Sequence, residues 1–162
     1  MKRRLLLIPF LILAIFLDCF VFPSLFRSGM RPLFVLSLAL AATFATKVQD
    51  GILIAILGGL LTDLFVNPYV GLSAAAYLIA VCIAYGFTKK HESARLRALF
   101  GSFTAAVAAE TVIFVFSLLI GARFDAYRLL RATLPSVILE TLCVLPLRSA
   151  LRAKEKDGSI HR

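Results

Sequence analysis

Apolar runs of roughly bilayer-spanning length recur from one end of this chain to the other, and they constrain its fold more than any single motif. A bilayer core about 30 Å thick calls for roughly 17–25 apolar residues per helix, and within it every backbone N–H and C=O must be satisfied by the protein itself. Helices meet that demand one segment at a time. With 60% hydrophobic and 17% charged residues and a mean hydropathy of +0.93, the chain falls outside the range of ordinary soluble domains. Six apolar segments read as candidate spans: 5–22, 33–46, 51–66, 71–88, 98–120 and 132–147. The predicted fold class is all-α, a polytopic membrane protein with a six-transmembrane-helix bundle. Residues 1–162 then form one integral membrane domain with short loops and no room for a soluble catalytic unit.

The formal charge of +9 does not indicate nucleic acid. The basic residues cluster beside the apolar runs, where they act as topology determinants and contacts for anionic lipid. With the N-terminus inside, thirteen of the 18 Lys and Arg fall on the cytoplasmic side and five outside. That bias predicts both termini in the cytoplasm. Lys2-Arg3-Arg4 and the run after it resemble a signal peptide, but the run is too long and no small-x-small cleavage site follows, so it reads as a retained span. Cys19, Cys82 and Cys143 lie in different apolar runs without CxxC spacing and read as buried free thiols. The 154–162 tail is left without assigned structure.

The most informative stretch is 51–77, GILIAILGGLLTDLFVNPYVGLSAAAY. It reads as two apolar helices, 51–66 and 71–88, broken sharply at Pro68, which cannot continue a helix. On the first helix Gly51, Ala55, Gly59 and Asp63 recur every four residues, placing three small residues and a carboxylate on one slowly drifting seam. The second carries Ala76, Ala80 and Ala84 at the same spacing. The fifth segment repeats the pattern with Ala98, Ser102, Ala106 and Glu110. Small-residue seams let helices approach closely in lipid. Residues 33–46 and 51–66 are both short for a full span, which predicts local thinning or protein cover.

The order of Gly58, Gly59, Leu60, Leu61, Asp63, Leu64, Gly71, Ala75 or Ala76, and Tyr77 resembles the signature hairpin of the bacterial rod shape-determining protein MreD family. Length, span count and Gly29-x-x-Pro32 extend the likeness loosely. Leu33 departs from it, because the family commonly has an acidic residue directly after that proline. The resemblance implies a membrane scaffold of the cell-elongation machinery in the plasma membrane of a rod-shaped bacterium. Implied partners are MreC, the actin-like MreB, and the polymerase and transpeptidase that build sidewall peptidoglycan. It implies no cofactor. A second reading, from similar size and span count, is a six-helix substrate-capture subunit of a vitamin transporter.

Asp18, Asp63, Glu110 and Glu140 fall within predicted spans. An ionisable group at that depth faces the bundle interior, a water-filled cavity or a partner. For Asp63 the readings are a hydrogen bond to Thr62, Ser73 or a turn amide, a contact with a partner, or an ion or ligand role. For Glu110 and Glu140 they are hydrogen bonding inside the bundle, or a proton or substrate path. No HExxH, GxSG nucleophile, P-loop or carboxylate-rich metal cluster accompanies them, so the expectation is that the protein is not an enzyme.

Overall fold

The computed structural model describes residues 2–21, 24, 33–66, 70–88, 93–119 and 126–160. These residues form six helices and no strand: α1 (Lys2–Phe16, continued by a π-helical turn, Leu17–Val21), α2 (Phe34–Ala45), α3 (Val48–Val66), α4 (Leu72–Thr88), α5 (Ala94–Leu119) and α6 (Ala126–Ile160). Three of them contain stretches long and apolar enough to cross a membrane: Val48–Phe65, Arg95–Phe116 and Thr133–Leu151. The apolar parts of α1, α2 and α4 are shorter.

Several boundaries differ from the sequence expectation. α3 starts at Val48 rather than 51, because the Lys47 carbonyl accepts from the amides of both Asp50 and Gly51 and so starts the helix early. Asp50 then sits in the first turn, where the helix dipole favours a carboxylate. The added residues give α3 the length of a full span. α6 runs straight through Pro135 and Pro146 and on to Ile160, beyond the expected end at 147 and into the tail. Proline removes one helical donor, and a membrane helix absorbs that loss where side chains and neighbours cover the freed carbonyl. Pro68 lies outside the described residues.

α2 is the hub. It packs against every one of the other five helices. All nine residues from Val35 to Thr43 are buried, so the helix is enclosed on every side, which accounts for its nearly unbroken apolar sequence. Its 12 residues amount to about 18 Å of helix. Around it, α4, α5 and α6 complete a ring with α2, while α1 and α3 cover its opposite flank.

Small residues set the helix spacing. Ala76, Ala80 and Ala84 of α4 and Ala98, Ser102 and Ala106 of α5 are all fully buried. A side chain on Gly101 would run into Phe44 of α2, 2.7 Å away, and Phe87 of α4, 3.3 Å away. Large apolar side chains such as Leu57, Phe65, Phe100, Phe103 and Leu142 point outward, as lipid-facing residues do.

Because apolar side chains in lipid gain little by burial as such, α2 is held by close packing. Leu38→Ala is expected to destabilise the purified protein by roughly 2 kcal/mol through the cavity it leaves. Leu57→Ala, on the exposed face of α3, should shift thermal unfolding in detergent far less.

Candidate functional site

The α3–α4 hairpin is closed by Asp63. This residue is fully buried, one turn before the end of α3, and reaches the start of α4. Its Oδ2 accepts from the amides of Gly71 at 2.8 Å and Ser73 at 2.9 Å, and its Oδ1 lies 3.2 Å from the Ser73 amide. These amides belong to the first turn of α4, whose N–H groups have no intrahelical acceptor. Two glycines allow the reach. Gly71 holds φ at +101°, a conformation that side chains resist. Gly59 lies against α4 backbone: a Cβ there would stand 2.5 Å from Ala74 Cα and 2.6 Å from Ala74 N.

The four-residue seam does not face one neighbour. Each step of four residues overshoots a full helical turn by about 40°. Gly51 accordingly faces α2, where a Cβ would meet Thr43 and come 2.9 Å from the Ala39 carbonyl. Ala55 is fully buried in the core. Gly59 has rotated onto α4. Gly58, off the seam, lies against Val35 of α2 and Leu11 of α1.

A second cluster gathers at the start of α2. Leu33 occupies the N-cap position and its side chain offers no oxygen to the helix. Carboxylates from two other helices supply the acceptors. Asp18, carried on the π-helical turn of α1, accepts from the Phe34 amide at 2.8 Å and the Val35 amide at 2.9 Å. Glu140 of α6 accepts from the Leu33 amide at 3.0 Å through Oε1. The Ser37 hydroxyl donates to the Glu140 and Leu33 carbonyls, each at 3.3 Å. A π-helical turn widens the backbone locally, and here it carries the residue that caps its neighbour.

Tyr77 is one turn after Ser73 on the same face of α4 and is fully buried. Glu110 is half-buried on α5, which packs against α6, the helix that carries Glu140. The sequence residues thus divide into a hairpin group (Gly59, Asp63, Gly71), a helix-start group (Asp18, Glu140) and interior neighbours (Tyr77, Glu110). Gly51, Ala55 and Gly58 pack elsewhere on α3. Two participants were missed. The Leu33 amide acts through its backbone, which no motif reveals. Arg148 lies just beyond the predicted end of the last span at 147, yet α6 continues through it and it is only 6% exposed. Among the described residues, no three His, Cys, Asp or Glu side chains converge as metal ligands.

Three helices long and apolar enough to cross a membrane, packed with shorter apolar helices around a buried hub, fit an integral membrane protein. Consistent with that class, the family model described as rod shape-determining protein MreD matches residues 2–152, and the chain belongs to this family. Its members are rod-shape-determining membrane proteins of the MreBCD shape machinery and are not known as enzymes. No curated protein and no solved structure matches the chain.

The geometry predicts an ordered response at residue 63. Asp63→Asn keeps an oxygen that can accept from both amides and should leave thermal stability nearly unchanged. Asp63→Leu strands two buried donors, at about 1–3 kcal/mol each, and Gly59→Leu should be comparably damaging because it drives α4 off α3. At the other cluster, Asp18→Leu should destabilise, and adding Leu33→Ser, which supplies a local N-cap oxygen, should recover part of the loss. Thermal unfolding of the purified variants at equal protein concentration checks all five.

Proposed function

We propose that this chain is a membrane scaffold subunit of the bacterial cell-elongation machinery, maintaining rod shape by binding an MreC-type partner and coordinating sidewall peptidoglycan synthesis. The observation that carries this reading is the family match over residues 2–152. MreB, a glycan polymerase and a transpeptidase are the further components such a scaffold would hold together. The structure is compatible with the role. Asp18, Asp63 and Glu140 bind helix ends of their own chain, so we assign Gly51, Ala55, Gly58, Gly59, Asp63 and Tyr77 to packing rather than to partner contact. Partner recognition then falls to the apolar outer face and the loops.

In this proposal the protein is a multi-pass plasma-membrane protein with six spans and both termini in the cytoplasm. The excess of Lys and Arg on one set of loops supports that orientation. α2 crosses the bilayer with its ends covered by protein, since about 18 Å of helix falls short of a core about 30 Å thick.

Two experiments test the proposal. A reporter active only outside the membrane should be silent at residue 162 and active when fused after Val70; activity at residue 162 would exclude the six-span topology. Affinity purification in mild detergent should recover a single-span protein with a periplasmic domain, and depletion should turn rods into rounded cells. Depleted cells that stay rod-shaped while losing uptake of a vitamin would instead identify a transporter subunit.

A further inference from the structure

Glycines inside the helices mark close approaches in this bundle. A Cβ on Gly51, Gly58, Gly59 or Gly101 would come closer than 3.0 Å to an atom of a neighbouring helix. Gly86, in the last turn of α4, follows a different logic. A Cβ there would meet nothing within 4 Å, and its backbone is helical without a positive φ. Glycine weakens a helix interior relative to alanine, yet no contact among the described residues requires one here. The missing side chain leaves a notch in the outer surface of α4.

The notch opens onto the outer groove between α4 and α5, which pack along each other. Gly101 of α5 fixes their register, because its Cβ would stand 3.3 Å from Phe87 Cβ. Gly86 adjoins that level. Residues 97, 101 and 104 share one stripe of α5, so Arg97 lies one turn from Gly101 on the side that borders α4, half-buried. Residues 79, 83 and 86 share a stripe of α4. Ile79 is exposed and Ile83 half-buried, so the groove has an apolar wall that leads inward from the notch. Phe100, also exposed, forms the outer lip on α5. Arg95 is two positions from Arg97, about 200° round the helix, and belongs to the opposite side of α5.

The stretch of α5 able to cross a membrane begins at Arg95. Arg97 therefore stands at the membrane–water boundary, with the apolar groove running inward from it. A guanidinium presents planar donors that match a phosphate. Together the two features fit a phospholipid with an anionic headgroup. An apolar helix of a partner would also fill the notch, but it brings no anion to Arg97. We propose that the α4–α5 groove binds one anionic phospholipid, its acyl chain lying over Gly86 along Ile83 and Ile79 and its phosphate paired with Arg97. In the six-span topology this end faces the cytoplasmic leaflet, whose surface is negatively charged. The site uses only the placement of α4 and α5 in a membrane and does not depend on the scaffold role.

Native mass spectra of the full-length protein in detergent test the proposal, with equal amounts of phosphatidylglycerol and phosphatidylcholine of the same chain length added. The native protein should retain one phosphatidylglycerol in about fivefold preference to phosphatidylcholine. Arg97→Gln should bring the two lipids level. Arg95→Gln, which loses the same charge, should leave the preference in place. Gly86→Leu fills the notch and should lower retention of both lipids severalfold. Its thermal midpoint should stay level or rise, because the new side chain starts in open space and the helix loses a glycine. Equal retention of the two lipids by the native protein would overturn the proposal. So would a preference that Arg95→Gln removes as fully as Arg97→Gln, the mark of diffuse charge, or a midpoint that falls in Gly86→Leu, the mark of a packed position. Should Gly86→Leu keep its lipid but lose a co-purifying membrane protein, the notch seats a partner helix and the lipid assignment is wrong.

Discussion

The start of α2 is the point on which the bundle depends. A helix end exposes several N–H groups without intrahelical acceptors, and in a membrane interior no bulk water is available to satisfy them. α2 begins inside the protein with Leu33 at its cap, a residue that contributes no side-chain oxygen. Two carboxylates close this end, one from the π-helical turn of α1 and one from the middle of α6. Each interaction does two things at once. It satisfies backbone donors that would otherwise be stranded, and it joins the start of α2 to a neighbouring helix. The same contacts tie the first and last helices to the central one.

The hairpin repeats this solution with a different geometry. Asp63 sits in the last turn of α3, where the dipole of its own helix disfavours a carboxylate, and is held there by the first turn of α4. Such an arrangement requires the two backbones to come almost into contact, and Gly59 supplies the missing volume. Glycine and aspartate at this spacing are therefore a single device: one permits the approach, and the other uses it. Gly71 completes the device by turning the chain so that its own amide and that of Ser73 converge on one oxygen.

Much of this was legible in the sequence because the relevant signals are periodic and local. Apolar runs gave the helices, and the four-residue recurrence of small residues gave the buried faces of α4 and α5. The Gly59–Asp63 pair and a turn-amide or Ser73 partner for Asp63 were also within reach, since all lie within a few turns of one another. The pairing of Asp18 and Glu140 at α2 was not legible. Glu140 is 107 residues from the amide it accepts from, and that amide carries no side-chain signature. Asp18 points at α2 through a π-helical turn that the periodicity does not announce. Helix ends were misplaced at Val48 and beyond Pro146 because backbone hydrogen bonds and neighbouring helices outweighed local breaking signals.

The distribution of polar groups also bears on how a protein of this class meets its partners. Asp18, Asp63 and Glu140 are engaged by backbone amides within the bundle, and Tyr77 is enclosed with them. Large apolar residues such as Phe16, Phe20 and Phe65 face outward, with Phe20 stacked on Phe16 at a centroid distance of 5.4 Å and tilted against Phe65 at 6.4 Å. Between apolar surfaces in lipid, association rests on shape and close packing, because burial alone gives little advantage over contact with acyl chains. In the proposed scaffold role, the shape of the exterior is what a partner helix would pack against. The interior carboxylates fix where α2 and α4 begin, so the polar core would act on recognition through the shape it maintains.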